Sequence, residues 1–370
     1  MSEKVKKLLK NFPVETFRKN LLDWFRAEKR NLPWREDRDP YKIWVSEVML
    51  QQTRVDTVIP YFRRFMEKYP TLDSLANASE EDLLKVWEGL GYYSRIRNLH
   101  SAAREVKERY GGKIPPDPEI FRRLKGVGSY TAGAVMSIAY NLPVPAVDGN
   151  VMRVLSRIFR IDDDIAKAKT KTMFEELASE LISREDPGSF NQSLMELGAL
   201  ICKPKNPGCL LCPVREQCQA KLAGDQDRYP NKEKRSSGRT VAIVAAVIRD
   251  GKGRVFIRKR PETGLLANLW EFPNEEIPGH PRGNRLPQFE AIMCRKHGIR
   301  VEVEEPLCRI QHQFSHLKWM MDVFIGKLLS FDAESDSLRA VKPEEIGQYP
   351  MPASHQKIWK NYCQFLRNQN

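Results

Sequence analysis

Two acidic residues lie in surroundings that push them toward opposite protonation states. Glu47 occurs in Tyr41-Lys42-Ile43-Trp44-Val45-Ser46-Glu47-Val48-Met49-Leu50, and on a helix its neighbours are Ile43, Trp44 and Leu50. A carboxylate rising from an apolar face is desolvated and holds a proton near neutral pH, which is what a general acid requires. Asp148, in Val147-Asp148-Gly149-Asn150-Val151, precedes the apolar-periodic positions Val151, Val154, Leu155, Ile158 and Phe159. Its carboxylate therefore falls at a helix N-terminus, where negative charge is favoured. Between the two lies Leu124-Lys125-Gly126-Val127-Gly128-Ser129-Tyr130-Thr131-Ala132. Gly126 and Gly128 permit a hairpin whose successive backbone N–H groups form a nest for an anion such as phosphate. The small residues Thr131-Ala132-Gly133-Ala134 then open a helix able to pack closely behind that hairpin.

A second chemistry is written in Cys202-x6-Cys209-x2-Cys212-x5-Cys218, stiffened by Pro204, Pro207 and Pro213. Four thiols in so short a loop bind metal; one Cys-x2-Cys pair with two single ligands leaves zinc and iron–sulfur as the candidates. Cys294, Cys308 and Cys363 are scattered and read as ordinary thiols. The 370 residues carry a net charge of +13 and 41% hydrophobic residues. That excess of Lys and Arg suggests a polyanionic partner. No apolar run is long enough to span a bilayer and the N-terminus lacks a signal-peptide core, so a cytoplasmic location without a disulfide framework is expected.

The elements that must position these groups can be read in order. Val14, Phe17, Leu21, Leu22, Trp24 and Phe25 recur at helical spacing, and Asn31-Leu32-Pro33-Trp34-Arg35 breaks that helix while setting an aromatic beside a cation. The helix carrying Glu47 ends in Gln51-Gln52-Thr53, amides that can replace lost base-pair hydrogen bonds. Leu72 to Trp87 reads as one amphipathic helix, followed by Gly89-Leu90-Gly91-Tyr92-Tyr93-Ser94-Arg95-Ile96-Arg97, a loop with aromatics able to stack or wedge between bases. Met173 to Ile201 is again helical, so residues 1–220 form an all-α domain. Residues 221–239 form a polar, basic linker. From residue 240 the pattern changes to strand, turn, strand over Val241–Ile248 and Val255–Ile257, with a further strand from Trp319 and a closing helix from Lys357, giving an α+β domain over 240–370.

The pattern Leu-x-Gly-Val-Gly-x-Tyr-Thr-Ala followed by Val-Asp-Gly-Asn-Val-x-Arg resembles the helix-hairpin-helix DNA glycosylases, with the hairpin near 122–134. The cysteine spacing is similar to the 4Fe-4S loop of the endonuclease III superfamily. Gly264 to Pro273, ending in Trp270-Glu271-Phe272-Pro273, resembles a segment of the Nudix hydrolase that cleanses the pool of 8-oxoguanine nucleotides. Its metal-binding helix, Arg-Glu-x-x-Glu-Glu-x-Gly, is matched by Ala291-Ile292-Met293-Cys294-Arg295-Lys296-His297-Gly298, which offers no hard oxygen ligands. Such a domain is expected to read a damaged base.

Together these features resemble the MutY family of adenine DNA glycosylases over residues 5–365. The resemblance implies a multidomain chain: an all-α helix-hairpin-helix glycosylase domain with a 4Fe-4S loop, then a Nudix-like 8-oxoguanine recognition domain. It implies a monomer with no membrane association that acts on double-stranded DNA containing 8-oxoguanine:A or G:A mispairs. Adenine would be flipped out and its N-glycosidic bond hydrolysed. Glu47 would protonate the base at N7 and activate water, ionised Asp148 would stabilise an oxocarbenium-like sugar, and Asn150 would hold the site in order. Leu32, Trp34, Arg35 and Gln192 would line the adenine pocket. Gln52, Thr53, Leu90 and Tyr92, with the hairpin Gly126, Val127 and Gly128, would contact DNA. Phe314, Ser315 and His316 would recognise 8-oxoguanine, Ser315 directly, and Cys202, Cys209, Cys212 and Cys218 would hold the cluster. In the bifunctional endonuclease III branch a lysine stands at the position of Tyr130 and forms a Schiff base; tyrosine cannot, so a monofunctional enzyme leaving an abasic site is expected. A bifunctional glycosylase/lyase and a non-enzymatic iron–sulfur DNA-binding protein are the alternatives, with an active Nudix hydrolase behind them.

Overall fold

The computed structural model describes residues 1–233, 238–277, 285–331 and 337–369. They divide into two units, 1–77 with 97–233 and 78–96 with 238–369.

In the first unit, helices form where apolar residues recur every three or four positions and stop where the sequence supplies a cap. Helix α1 (Glu3–Leu9), which periodicity did not signal, begins at Ser2, whose hydroxyl accepts from the Val5 N–H. Helix α2 (Val14–Glu28) buries Phe17, Leu21, Leu22 and Phe25 along one stripe. Helix α3 (Pro40–Leu50) starts at Asp39, whose carboxylate accepts from the Tyr41 N–H, and is buried nearly all round. Helix α4 (Val55–Lys68) follows it. The run expected as one helix from Leu72 to Trp87 is two, α5 (Leu72–Ala76) and, already in the second unit, α6 (Glu80–Val86), because Ser79 caps a new start by accepting from the Asp82 N–H. After α7 (Ser94–Tyr110) come α8 (Pro118–Arg122), α9 (Ser129–Tyr140) and α10 (Gly149–Ile158). Met173 to Ile201 is likewise two helices, α11 (Ala168–Leu181) and α12 (Pro187–Leu200), separated where Asp186 caps and Pro187 opens the second.

Helices α10, α11 and α12 pack around Val154, Leu155, Phe174, Leu177, Phe190 and Leu194. The hairpin between α8 and α9 turns at Gly126, whose φ of +80° disfavours a side chain and where a Cβ would meet Asn98 Cβ at 2.7 Å. In α9, Gly133 lies directly against the chain before Asp148: a Cβ there would stand 2.0 Å from the Pro145 carbonyl oxygen. Close packing behind the hairpin is thus what the small-residue run provides.

The stretch expected as a linker is anchored at a few points, although most of its described residues stay exposed. Helix α13 (Gln219–Ala223) leads to Tyr229, which is buried. The Arg157 guanidinium donates to the carbonyls of Gln226 (2.9 Å) and Tyr229 (3.2 Å), and the Ile165 N–H donates to Asn231 O at 3.0 Å. Polar composition hid this, because the interaction runs through backbone carbonyls that any residue could supply. Residues 234–237 of that stretch lie outside the described residues.

Among the described residues the second unit is built on a sheet of seven strands, β1 (Arg239–Arg249), β2 (Val255–Lys259), β3 (Trp270–Glu271), β4 (Asn274–Glu276), β5 (Ile299–Gln313), β6 (Leu317–Phe331) and β7 (Leu338–Val341). The order is β3-β2-β1-β6-β5, with β4 also on β1 and β7 on β2; β1 and β6 run parallel from Arg239↔Leu317 to Arg249↔Lys327. Strand β1 is apolar on both faces. Val241, Ile243, Ala245 and Val247 face a core shared with Ile358 and Tyr362 of α15 (Ala353–Gln369). Val244, Ala246 and Ile248 face Phe289 and Met293 of α14 (Leu286–His297). The only acidic side chain of α14, Glu290, accepts from the Val303 N–H at 2.9 Å.

Residues 78–96 belong to this unit although sequence periodicity assigns them to the helical domain. Asn268 Nδ2 donates to Glu80 (2.7 Å), Trp270 Nε1 to Glu81 (2.8 Å) and the Met351 N–H to Glu88 (2.7 Å).

The close approach at Gly133 predicts that Gly133→Ala costs about 1–3 kcal/mol, as overpacking against immovable backbone does. Gly128→Ala, where nothing lies within 4 Å of the added carbon, should cost far less. Thermal denaturation of both variants checks the difference, and equal losses would contradict it.

Candidate active site

Helices α3, α9, α10 and α12, together with a short turn over Pro33–Arg35, enclose a cavity of about 730 Å³ in the first unit. Glu47, Tyr130, Asp148 and Asn150 line it, as do Leu32, Trp34, Arg35 and Gln192. Gln52, Thr53, Gly126 and Gly128 complete the set of sequence-expected residues found there. Residues scattered over most of the first unit are therefore brought to one concavity.

Glu47 is buried in α3, only 5% exposed. The Tyr130 hydroxyl donates to its Oε2 at 2.5 Å and lies 3.2 Å from Met195 Sδ. Burial pushes the Glu47 carboxyl up to about 7; the Tyr130 bond opposes this, the Asp148 charge adds to it and the Arg35 charge reduces it. Burial and the neighbouring carboxylates hold the Tyr130 phenol well above its usual range, so it acts as a donor.

Asp148 is the N-cap of α10, as its position before the apolar stripe implies. Its Oδ1 accepts from the Val151 N–H and its Oδ2 from Asn150 Nδ2, both at 2.7 Å. Asn150 is held in turn, its Oδ1 accepting from Arg153 Nη2 at 2.8 Å. One expectation is corrected here: the helix N-terminus does not bring the Asp148 carboxyl below its ordinary value. Burial raises it, and the bonds from Val151 and Asn150 only partly offset that.

The pocket floor contains a group that the sequence reading missed. Glu196, buried on α12, accepts from Arg30 Nε (2.7 Å), Arg30 Nη2 (2.9 Å) and Arg35 Nη2 (3.0 Å). Burial alone would raise its pKa, but the hydrogen bonds from the two guanidiniums outweigh it and hold the carboxylate down at about 2. The available signal was spacing: Glu196 lies one turn beyond Gln192, on the same helix face. Arg35 Nε also donates to Gln192 Oε1 at 2.9 Å. Trp34 is mostly core, its ring edge-on to Phe62 at 5.4 Å.

Two of the expected DNA contacts, Val127 and Leu90, are buried in the structure. Val127 is buried and its N–H is spent on Leu124 O at 3.1 Å, so the hairpin nest does not include it. Leu90, in the second unit, is buried rather than presented. Gln52 adopts φ +58°, and in the second unit Tyr92 adopts φ +47° and is 46% exposed. A left-handed conformation costs a non-glycine residue about 1 kcal/mol, and such strain collects at functional positions.

Also in the second unit, the Tyr92 hydroxyl lies 3.2 Å from Ser315 Oγ. Phe314 packs edge-on between His312 and Trp319, at 4.6 and 4.9 Å. The His316 carbonyl is closely covered by Gly238, where a Cβ would approach it to 2.4 Å. Ser315 therefore sits on a turn braced by aromatics and backbone.

The four clustered cysteines are free thiols, and Cys202, Cys212 and Cys218 pack against the helical core. Among the described residues no group of three or more His, Cys, Asp or Glu is arranged to hold a single metal ion. Burial and mutual repulsion raise the thiols of Cys209 and Cys218, and push Cys212 up to about 12. Four interacting thiols with Arg157 Nη1 at 3.2 Å from Cys202 Sγ form a donor set that a cationic iron–sulfur core would fit, since its charge offsets that repulsion. No helix among the described residues is long and apolar enough to cross a membrane.

Residues 45–182 match the HhH-GPD superfamily of base excision DNA repair proteins, and residues 244–361 match the NUDIX domain. A solved thermostable thymine-DNA glycosylase superimposes with a TM-score of 0.52 at 28% identity, covering 58% of this chain and 99% of that one. The adenine DNA glycosylase of Buchnera aphidicola subsp. Schizaphis graminum is 36% identical over 82% of this chain and 85% of its own length. The human adenine DNA glycosylase is 36% identical, over 84% of this chain and 67% of its own. With the Rattus norvegicus adenine DNA glycosylase the identity is 37%, over 96% of this chain and 79% of that protein. A catalytic-type cavity on a helix-hairpin-helix scaffold, followed by a Nudix-like sheet, is thus accompanied by relatives alike over nearly the whole length, and the chain belongs to the adenine DNA glycosylase family.

Proposed function

We propose that this enzyme removes adenine mispaired with 8-oxoguanine, and with G, by hydrolysis alone, leaving an abasic site. The observation that carries the chemical part is the buried Glu47, with a pKa near 7, beside Asp148 in one cavity. A cavity of this size holds a flipped nucleoside. Protonated Glu47 gives its proton to adenine N7, and the C1′–N9 electron pair leaves with the base. Asp148 stabilises the positive charge that develops on the sugar, a charge that itself favours the ionised carboxylate despite burial. Water then adds to C1′ while the Glu47 carboxylate takes up the proton released. Tyr130 orients Glu47 through the 2.5 Å bond and, lacking an amine, cannot form an imine with the sugar.

Lesion choice is assigned to the second unit. The Ser315 hydroxyl reads the oxidised base and the strained Tyr92 wedges into the duplex; Gln52, in the first unit, is assigned to the duplex separately. Cys202, Cys209, Cys212 and Cys218 are assigned to a 4Fe-4S cluster, which when bound supplies a cross-link for the loop between α12 and α13.

Three outcomes are expected. Single-turnover adenine release should be faster from 8-oxoguanine:A than from G:A, and absent from A:T; equal rates from the first two would remove the lesion-reading assignment. Borohydride should trap no covalent complex on abasic DNA; a trapped species lost on changing one lysine would establish the lyase alternative. Purified protein should contain iron and sulfide in equal amounts, and stoichiometric zinc without iron would refute the cluster.

Release should also decline as pH rises through about 7, where Glu47 loses its proton. Glu47→Gln should lower it about 100-fold to 10,000-fold, the range of a lost general acid. The same residue affects stability. Its pKa is 4.5 unfolded and about 7 folded, so stability falls as pH rises between those values and remains lower above them. Glu47→Gln should remove that loss, on the order of 3 kcal/mol, and unfold at a higher temperature than the parent at pH 8. A variant no more stable than the parent there would contradict the burial argument.

A further inference from the structure

The pocket contains an amide whose orientation is dictated by its neighbours. Arginine can only donate, so Arg35 Nε at 2.9 Å requires the Gln192 oxygen. A backbone carbonyl can only accept, so Gly188 O at 3.2 Å requires the Gln192 nitrogen. Both contacts select the same rotamer, which leaves the second N–H of Gln192 as the hydrogen this cavity-lining side chain offers. Arg35 is itself fixed: Nη1 donates to Arg30 O (3.1 Å) and Nη2 to Glu196 Oε2 (3.0 Å). Glu196 is anchored further by three donors of Arg30, including its backbone N–H at 3.1 Å.

We propose that Glu196 is a positioning residue that sets the hydrogen-bonding polarity of the base pocket: by holding Arg35 it makes Gln192 present an N–H, and so select a base whose facing ring nitrogen carries a lone pair. Adenine N1 and N3 are such acceptors. The N1–H of guanine or hypoxanthine would instead set donor against donor, and an unpaired buried donor is costly. This rests on the reading that the flipped adenine enters the cavity lined by Gln192.

The test is single-turnover release from duplexes carrying adenine, 1-deazaadenine or 3-deazaadenine, for the parent, Glu196→Gln, Glu196→Asp and Gln192→Met. Intrinsic effects of each analogue on leaving-group chemistry are common to all four proteins and cancel in the comparison. The parent should lose about fivefold to tenfold on one analogue beyond that intrinsic effect, the worth of one hydrogen bond. In Glu196→Gln the extra loss should shrink below about twofold, because Arg35 is loosened and only Gly188 O still orients the Gln192 amide firmly, and Glu196→Asp should restore part of it. A Glu196→Gln enzyme slowed by the same factor on all three substrates would overturn the proposal, since that is what a purely structural role does. If Glu196→Gln does not fold, Gln192→Met carries the test: the selective loss must vanish, and its persistence is disproof. A parent that discriminates against neither analogue, while still releasing adenine, would instead show that Gln192 does not face the base.

Discussion

Placing acidic side chains where water is scarce is the constraint on which the site depends. Three carboxylates of the first unit, Glu47, Asp148 and Glu196, are removed from solvent around one cavity, and each pays the same kind of desolvation cost. Their fates differ because their partners differ. Glu196 receives two guanidiniums and is held ionised. Asp148 receives neutral donors, a helix N–H and an amide, which moderate its rise without abolishing it. Glu47 receives a single phenol among apolar neighbours and keeps its proton near neutrality. One chemical group thus takes three different proton affinities, according to the number and charge of its donors.

The scaffold supplies those donors at low cost in strain. Asp148 caps a helix it would have to precede in any case, so its hydrogen bond to Val151 is a by-product of starting α10. The absence of a side chain at Gly133 lets α9 lie against the segment leading to Asp148, which sets Tyr130 on the first turn of that helix within reach of Glu47. Among the described residues, left-handed backbone occurs at eight non-glycine positions, the exposed Gln52 and Tyr92 among them.

The second unit keeps a Nudix-like fold in which cations stand where a hydrolase would place carboxylates. Where a Nudix hydrolase would gather carboxylates on a helix, α14 ends in Arg295, Lys296 and His297, and the last two contact Glu275. Arg258 joins Glu271 to Glu275, so protein cations neutralise the acids of this region. Residues 78–96, which carry Tyr92, are tied to the same sheet through Glu80, Glu81 and Glu88.

The sequence carries plainly the parts whose physics is local. Helix and strand character, the cap of α10, the crowded cysteine loop and the apolar setting of Glu47 follow from neighbours within a few residues, where periodicity and side-chain type act directly. It missed the splits at Ser79 and Pro187, where capping overrode a continuous apolar stripe, and the anchoring of residues 221–233, which runs through backbone carbonyls. The environment-dependent quantities emerge with the folded chain: that Tyr130 binds Glu47, that burial outweighs the helix end at Asp148, that Val127 and Leu90 are buried, and that Glu196 pairs with Arg30 and Arg35, which in turn donates to Gln192. Each depends on residues far apart in the chain meeting in a cavity with little water, and desolvation and long-range pairing are set by that meeting, which no local pattern encodes.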